Sequence, residues 1–186
     1  MNAIAVRNEN VVKMTLKATV IYENFDFAIR AAALLERVAA RVHETMEWDV
    51  RPWRLDVLKQ SPLAEAAGAE AADTDLVMFT LSHTRSLPPE LTAWLEHWNA
   101  RRQIVDPAIM VLSPDSLTAA ETPLWRELKQ FAMQHGLAFL NSGDVRDNGD
   151  SMRFVHQLWQ RKLPHAGTVG LPASPARAGR HRGIDR

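Results

Sequence analysis

WDVRPWRLDVL, residues 48–58, is the stretch that decides the order of the strands. Polar and apolar residues alternate along it, the period of a strand with one covered face. Pro52 lies in the middle of that run. Proline has no N–H to give to a ladder, so a strand that contains it belongs at the edge of its sheet. The stretch before it, KATVIYE at residues 17–23, is nearly continuous in β-branched and apolar side chains, as a strand covered on both faces should be. DLVMFTL at 75–81 and AIMVLS at 108–113 are apolar throughout and read as central strands, and LAFLN at 137–141 completes a set of five.

Between these runs lie stretches of helix length. From Asn24, whose side-chain oxygen is suited to an N-cap, Phe27, Ala31, Leu34, Leu35, Val38 and Val42 recur at helical spacing. Ser61-Pro62 reads as a cap followed by a first-turn proline, opening an alanine-rich helix that ends near Asp73. Ser86 is placed as the cap of the next helix, on which Leu91, Trp94, Leu95 and Trp98 form an i, i+3, i+4, i+7 stripe. Thr122-Pro123 opens a fourth, and Gly136 supplies the left-handed residue that ends it. MRFVHQLWQRKL at 152–163 reads as a last helix stopped by Pro164.

Alternation of strand and helix argues for βαβ units around a parallel sheet. With the proline-bearing second strand at an edge, the expected fold is α/β: a three-layer, doubly wound, five-stranded parallel sheet in the flavodoxin-like order 2-1-3-4-5. The domain boundaries read as 1–16 for an N-terminal extension or extra strand, 17–163 for the α/β domain, and 164–186 for a disordered basic tail. In topology the chain resembles flavodoxins and phosphoacceptor receiver domains over roughly Lys17 to Leu163.

The residues that carry chemistry in those families are altered here. The first βα loop, Glu23-Asn24-Phe25-Asp26, is acidic and lacks the Gly, Ser and Thr of a flavin phosphate loop, which argues against FMN. The third strand ends in Leu81-Ser82-His83-Thr84, without the carboxylate a receiver phosphorylates, and the fifth ends in Asn141-Ser142 where a receiver presents Lys. Lys plus Arg equals Asp plus Glu at 22 each, so no global charge favours nucleic acid or an anionic membrane. There is no Cys, which excludes disulfides, thiolate metal sites and a thiol nucleophile. No segment has the length and apolarity of a membrane span or the pattern of a signal peptide, and cytoplasmic residence is the default expectation. DVRDNGD at 144–150 departs from a calcium loop at Arg146 and at Val155, where a bidentate Glu is required. The histidines show no ligand spacing. No metal and no cofactor are therefore expected.

What remains is a candidate crevice outside the carboxyl ends of the first and third strands, formed by Glu23, Asn24, Asp26, Ser82, His83, Arg85, Ser113 and Asp115. Backbone amides at two helix starts are expected to point into it, with Arg85 offsetting the nearby acids. Capping accounts for several of these polar residues without a ligand, and that reading is the simpler one. Trp94 and Trp98 suit a partner surface, against core packing, which the stripe they share favours. A protein partner or a homodimer is the expected kind of partner, with weak nucleic-acid contact confined to the Arg-rich tail and no membrane association. The leading functional expectation is a non-catalytic binding or regulatory module on a degenerate receiver-like scaffold. The alternative is an enzyme on a polar or nucleotide-like substrate, with His83 as acid–base and Arg85 holding an anion.

Overall fold

The computed structural model describes residues 14–42, 45–81, 86–112 and 122–141, together with four positions, 153, 155, 156 and 158, that lie in a helix. Five strands, β1 (Met14–Tyr22), β2 (Met46–Arg54), β3 (Leu76–Thr80), β4 (Ala108–Val111) and β5 (Ala138–Asn141), form one sheet in the order β2-β1-β3-β4-β5. Every neighbouring pair is parallel. The helices between them are α1 (Phe25–Val42), α2 (Ser61–Ala71), α3 (Pro89–Arg101) and α4 (Pro123–Gln134), and a short 3₁₀ turn, Leu55–Lys59, leads into α2. This is the expected flavodoxin-like α/β architecture, with Pro52 on the outermost strand opposite Val20.

Alternation within β1 divides the core in two. Leu16, Ala18 and Val20 face one layer, where they pack with Ala31, Leu35 and Val38 of α1 and with Val155 and Leu158. Ile21 faces the other, with Val77, Phe79, Ile109 and Val111 and the inner sides of α2, α3 and α4. Period-2 side chains on a doubly covered strand produce this division, and each fully buried aliphatic side chain contributes about 1.5–3 kcal/mol. β1 begins at Met14, three residues ahead of the start expected from sequence, and its ladder with β2 begins at the same residue, Met14 opposite Met46.

Two helix ends behave as expected. Thr122 accepts a hydrogen bond from the Trp125 N–H, and Gly136 sits at φ +67° after α4. Two helix starts do not. Ser86 is not a cap: α3 begins at Pro89 with Pro88 before it, where a prolyl ring already fixes φ for the turn. α2 has Gln60 at its N-cap, so Ser61 and Pro62 both lie inside the first turn.

The two tryptophans offered as a candidate partner surface belong to the core, the reading their shared stripe favours. Trp94 is 3% exposed and Trp98 fully buried, their rings stacked 6.2 Å apart at 5°, and the Trp98 indole donates to the Ala71 carbonyl at 2.9 Å. Here α2 and the sheet cover that stripe. A polar cluster seals the space between β2, β1 and the end of α2. Arg51 binds Asp49 and Asp73, Lys17 binds Asp73, and the Thr19 and Thr74 hydroxyls meet at 2.9 Å.

Candidate functional site

In a doubly wound sheet, ligands bind where successive connections leave toward opposite faces. That place lies between β1 and β3 here, because α1 covers one face while α2 and α3 cover the other. The carboxyl ends of the strands are tied together around it. Glu23 N–H donates to the Thr80 carbonyl at 3.4 Å, the Thr80 hydroxyl donates to the Ile21 carbonyl at 3.4 Å, and Leu112 N–H donates to the Phe79 carbonyl at 2.8 Å.

Of the eight residues expected to line the crevice, Glu23, Asn24 and Asp26 are described, and they cluster at the start of α1. Ser82, His83, Arg85, Ser113 and Asp115 lie outside the described residues, as do Ser142, Asp144 and the 164–186 tail.

The α1 start differs from the expected anion seat. The Asn24 side-chain oxygen accepts from the Asp26 N–H at 3.0 Å, and the Asn24 carbonyl accepts from the Phe27 and Ala28 N–H groups at 3.0 and 3.4 Å. The Asp26 N–H is thus taken by the Asn24 side chain and the Phe27 N–H by the Asn24 carbonyl, the Ala28 bond being the ordinary first bond of the helix, and the Asp26 carboxylate adds negative charge in the same turn. Of the amides expected to face an anion at this helix start, that capping bond occupies the one at Asp26.

Arg54 stands at this end too, at the end of β2 opposite Tyr22. It forks onto Asp56 through bonds of 2.6 and 2.7 Å. That hydrogen bond holds the Asp56 carboxyl below its ordinary range and the Arg54 guanidinium above its own. The Arg54 charge is spent within the turn. Beside it, the Tyr22 and Phe25 rings meet edge to face at 6.5 Å, and Phe25 is 65% exposed.

A second concavity, which sequence reasoning did not point to, lies on the flank of the sheet. It has a volume of about 320 Å³ between the 3₁₀ turn, α2 and α3, with Leu58, Ala64 and Trp94 on its apolar side and Lys59, Glu90 and His97 among its polar lining. Lys59 and Glu90 pair across it at 3.5 Å. The Trp94 Nε1 and His97 Nε2 atoms are buried without partners, and the two rings pack toward Gly68, where an added Cβ would meet the His97 Cδ2 at 3.4 Å and the Trp94 Nε1 at 3.8 Å. They are closed off, so the concavity offers an apolar floor and one ion pair. No group of three or more His, Asp or Glu side chains among the described residues is placed to hold a metal ion.

No protein-family model matches the sequence, and no curated protein does. Among solved structures, the chain is similar to rubredoxin oxygen:oxidoreductase from the anaerobe Desulfovibrio gigas, at 13% identity and a TM-score of 0.49, over 81% of this chain. The chain spans 38% of the length of that protein. The class is defined by the strand order itself, a flavodoxin-like α/β fold. No helix among the described residues is long and apolar enough to cross a membrane.

Proposed function

We propose that the chain is a non-catalytic binding or regulatory module, residing in the cytoplasm and acting through contact with another protein or a second copy of itself. The reading is supported by one observation: Asn24 caps α1 with its own side chain, which takes the Asp26 N–H that a bound phosphate would use. Asp26 and the Arg54–Asp56 pair add to it, the first by repelling an anion and the second by withdrawing a cation.

A thermal-shift screen with FMN, ATP, NAD, acetyl phosphate and beryllofluoride tests this. A ligand present at a hundredfold its Kd adds about 2.7 kcal/mol to stability, which raises Tm by roughly 5 °C or more in a chain of this size. No such rise is expected from any of the five. A rise accompanied by amide shifts at Glu23, Asn24 and Asp26 overturns the reading and favours an enzyme of polar or nucleotide-like substrates using His83 and Arg85.

A further inference from the structure

Trp94 Nε1 and His97 Nε2 are two of five buried side-chain nitrogen and oxygen atoms that have no hydrogen-bond partner among the described residues. They lie together, on the side of α3 that packs against Gly68 of α2. Trp94 is 3% exposed, and an indole N–H can only donate. Buried polar groups are normally hydrogen-bonded, and a donor shut away from every acceptor destabilises the fold that holds it.

Gly68 leaves room for an acceptor. A Cβ at Gly68 would stand 3.8 Å from Trp94 Nε1 and 3.4 Å from His97 Cδ2, the ring carbon bonded to Nε2. Both are ordinary van der Waals distances, so a methyl-sized gap lies between the two helices. Packing does not demand glycine there, and helix propensity disfavours it in the interior of α2. The gap adjoins the concavity of about 320 Å³, because Trp94 and His97 line both. On α2, Ala64, Glu65 and Gly68 share one stripe, and on α3 Glu90, Trp94 and His97 share the facing one, each at i, i+3 or i+4 spacing. The concavity is thus a groove between two helices, with the gap at its Gly68 end.

We propose that this groove binds a small uncharged molecule with an apolar ring and one hydroxyl group, the hydroxyl entering the gap over Gly68 and the ring lying on Leu58, Ala64 and Trp94. A hydroxyl is no larger than the methyl that would fit there. Its oxygen accepts from the Trp94 N–H, and it serves His97 in either tautomer, donating to a bare Nε2 or accepting from Nε2–H. The volume is at the low end for small-molecule sites, which suits a single substituted ring. Charge at the mouth selects against ions. Lys59 already pairs with Glu90 at 3.5 Å, and Glu65 adds a negative charge that repels a carboxylate or phosphate. An ammonium would suit Glu65 but has no lone pair to offer Trp94. The groove shares no residue with the crevice at the strand ends, so the inference goes beyond the binding-module reading and is tested apart from it.

The test is a nitrogen–proton NMR titration of the full chain with p-cresol, beside toluene, which lacks the hydroxyl, and p-toluate, which carries a carboxylate in its place. p-Cresol is expected to move the Trp94 indole N–H resonance, assigned by its loss in Trp94→Phe, together with amides of α2 and α3. Toluene and p-toluate are expected to bind at least about tenfold more weakly, because they leave the two nitrogens unpartnered or meet Glu65. Gly68→Ala fills the gap with a methyl group. It is expected to bind p-cresol at least about tenfold more weakly while its Tm is unchanged or raised. Trp94→Phe is expected to narrow the preference for p-cresol over toluene, and Gly68→Ala decides alone should that variant fail to fold. Equal binding of toluene or p-toluate, equal binding by Gly68→Ala, shifts on another face, or no shift at millimolar p-cresol each overturn the proposal. A Trp94 indole resonance that p-cresol leaves in place also overturns it, in favour of a buried water as the partner of that donor. Shifts at Glu23 and Asn24 would bear on the binding-module reading instead, since neither residue lines the groove.

Discussion

Arg51 on β2 and Asp73 beyond the end of α2 meet at 3.0 Å, while Lys17 from β1 takes the other oxygen of the same carboxylate. One acid thus joins two strands to the turn that starts the third. Partial burial pushes Asp73 upward, but the Lys17 hydrogen bond and the Arg51 charge together outweigh it, and the carboxyl is held below its ordinary range.

A folded-state pKa below the unfolded value stabilises the protein above the unfolded pKa, near 3.9, and that stability is lost as pH falls through the lower folded value. Asp73→Asn is therefore expected to cost about 1 kcal/mol at pH 7, discounted for the exposure of about a third of the side chain. Urea unfolding of wild type and variant should differ at pH 7 and converge as pH falls below the folded-state value. An equal gap at both pH values would mean that the carboxylate charge is not what matters.

Trp98→Ala is expected to cost about 3–5 kcal/mol, because a fully buried indole is removed. Trp98→Phe keeps most of the volume and leaves the Ala71 carbonyl with the Thr74 N–H as its remaining donor at 3.1 Å, so the expected cost is that of one net hydrogen bond, about 0.5–1.5 kcal/mol. Chemical denaturation measures both. A near-neutral Trp98→Ala would return the ring to the surface.

Thr122→Ala removes the bond to the Trp125 amide and is expected to cost about 1 kcal/mol, with Thr122→Ser close to wild type. Gly136→Ala forces an L side chain into φ +67° and should cost about 1–2 kcal/mol despite open space around it. Thermal melts of the three variants distinguish the cap from the turn.

Gly68→Ala is expected to stabilise. A Cβ there meets its nearest neighbour, His97 Cδ2, at 3.4 Å, an acceptable contact. The backbone of α2 meanwhile gains about 0.5–1 kcal/mol of helix preference. A loss of stability would show that the α2–α3 packing cannot yield even a few tenths of an ångström.

Strand order was legible because Pro52 excludes itself from a sheet interior while the runs around Val77 and Ile109 demand one. Thr122 and Gly136 were legible because a capping oxygen and a left-handed turn each need a particular residue type. Helix starts at proline pairs were not. Pro88-Pro89 begins α3 without any side-chain cap, so Ser86 drew the boundary too early. At the site, strand order pointed to helix-start amides, and only the direction of the Asn24 side chain shows that the Asp26 amide is bound by the protein's own oxygen.

The parallel stack of Trp94 on Trp98 gives the molecule an optical signature of its own. Two indoles held 6.2 Å apart in a fixed, buried surround contribute near-ultraviolet circular dichroism that is lost when their packing opens. That signal reports the seam between α2, α3 and the sheet. It allows opening of this one layer to be followed apart from melting of α1 on the far side.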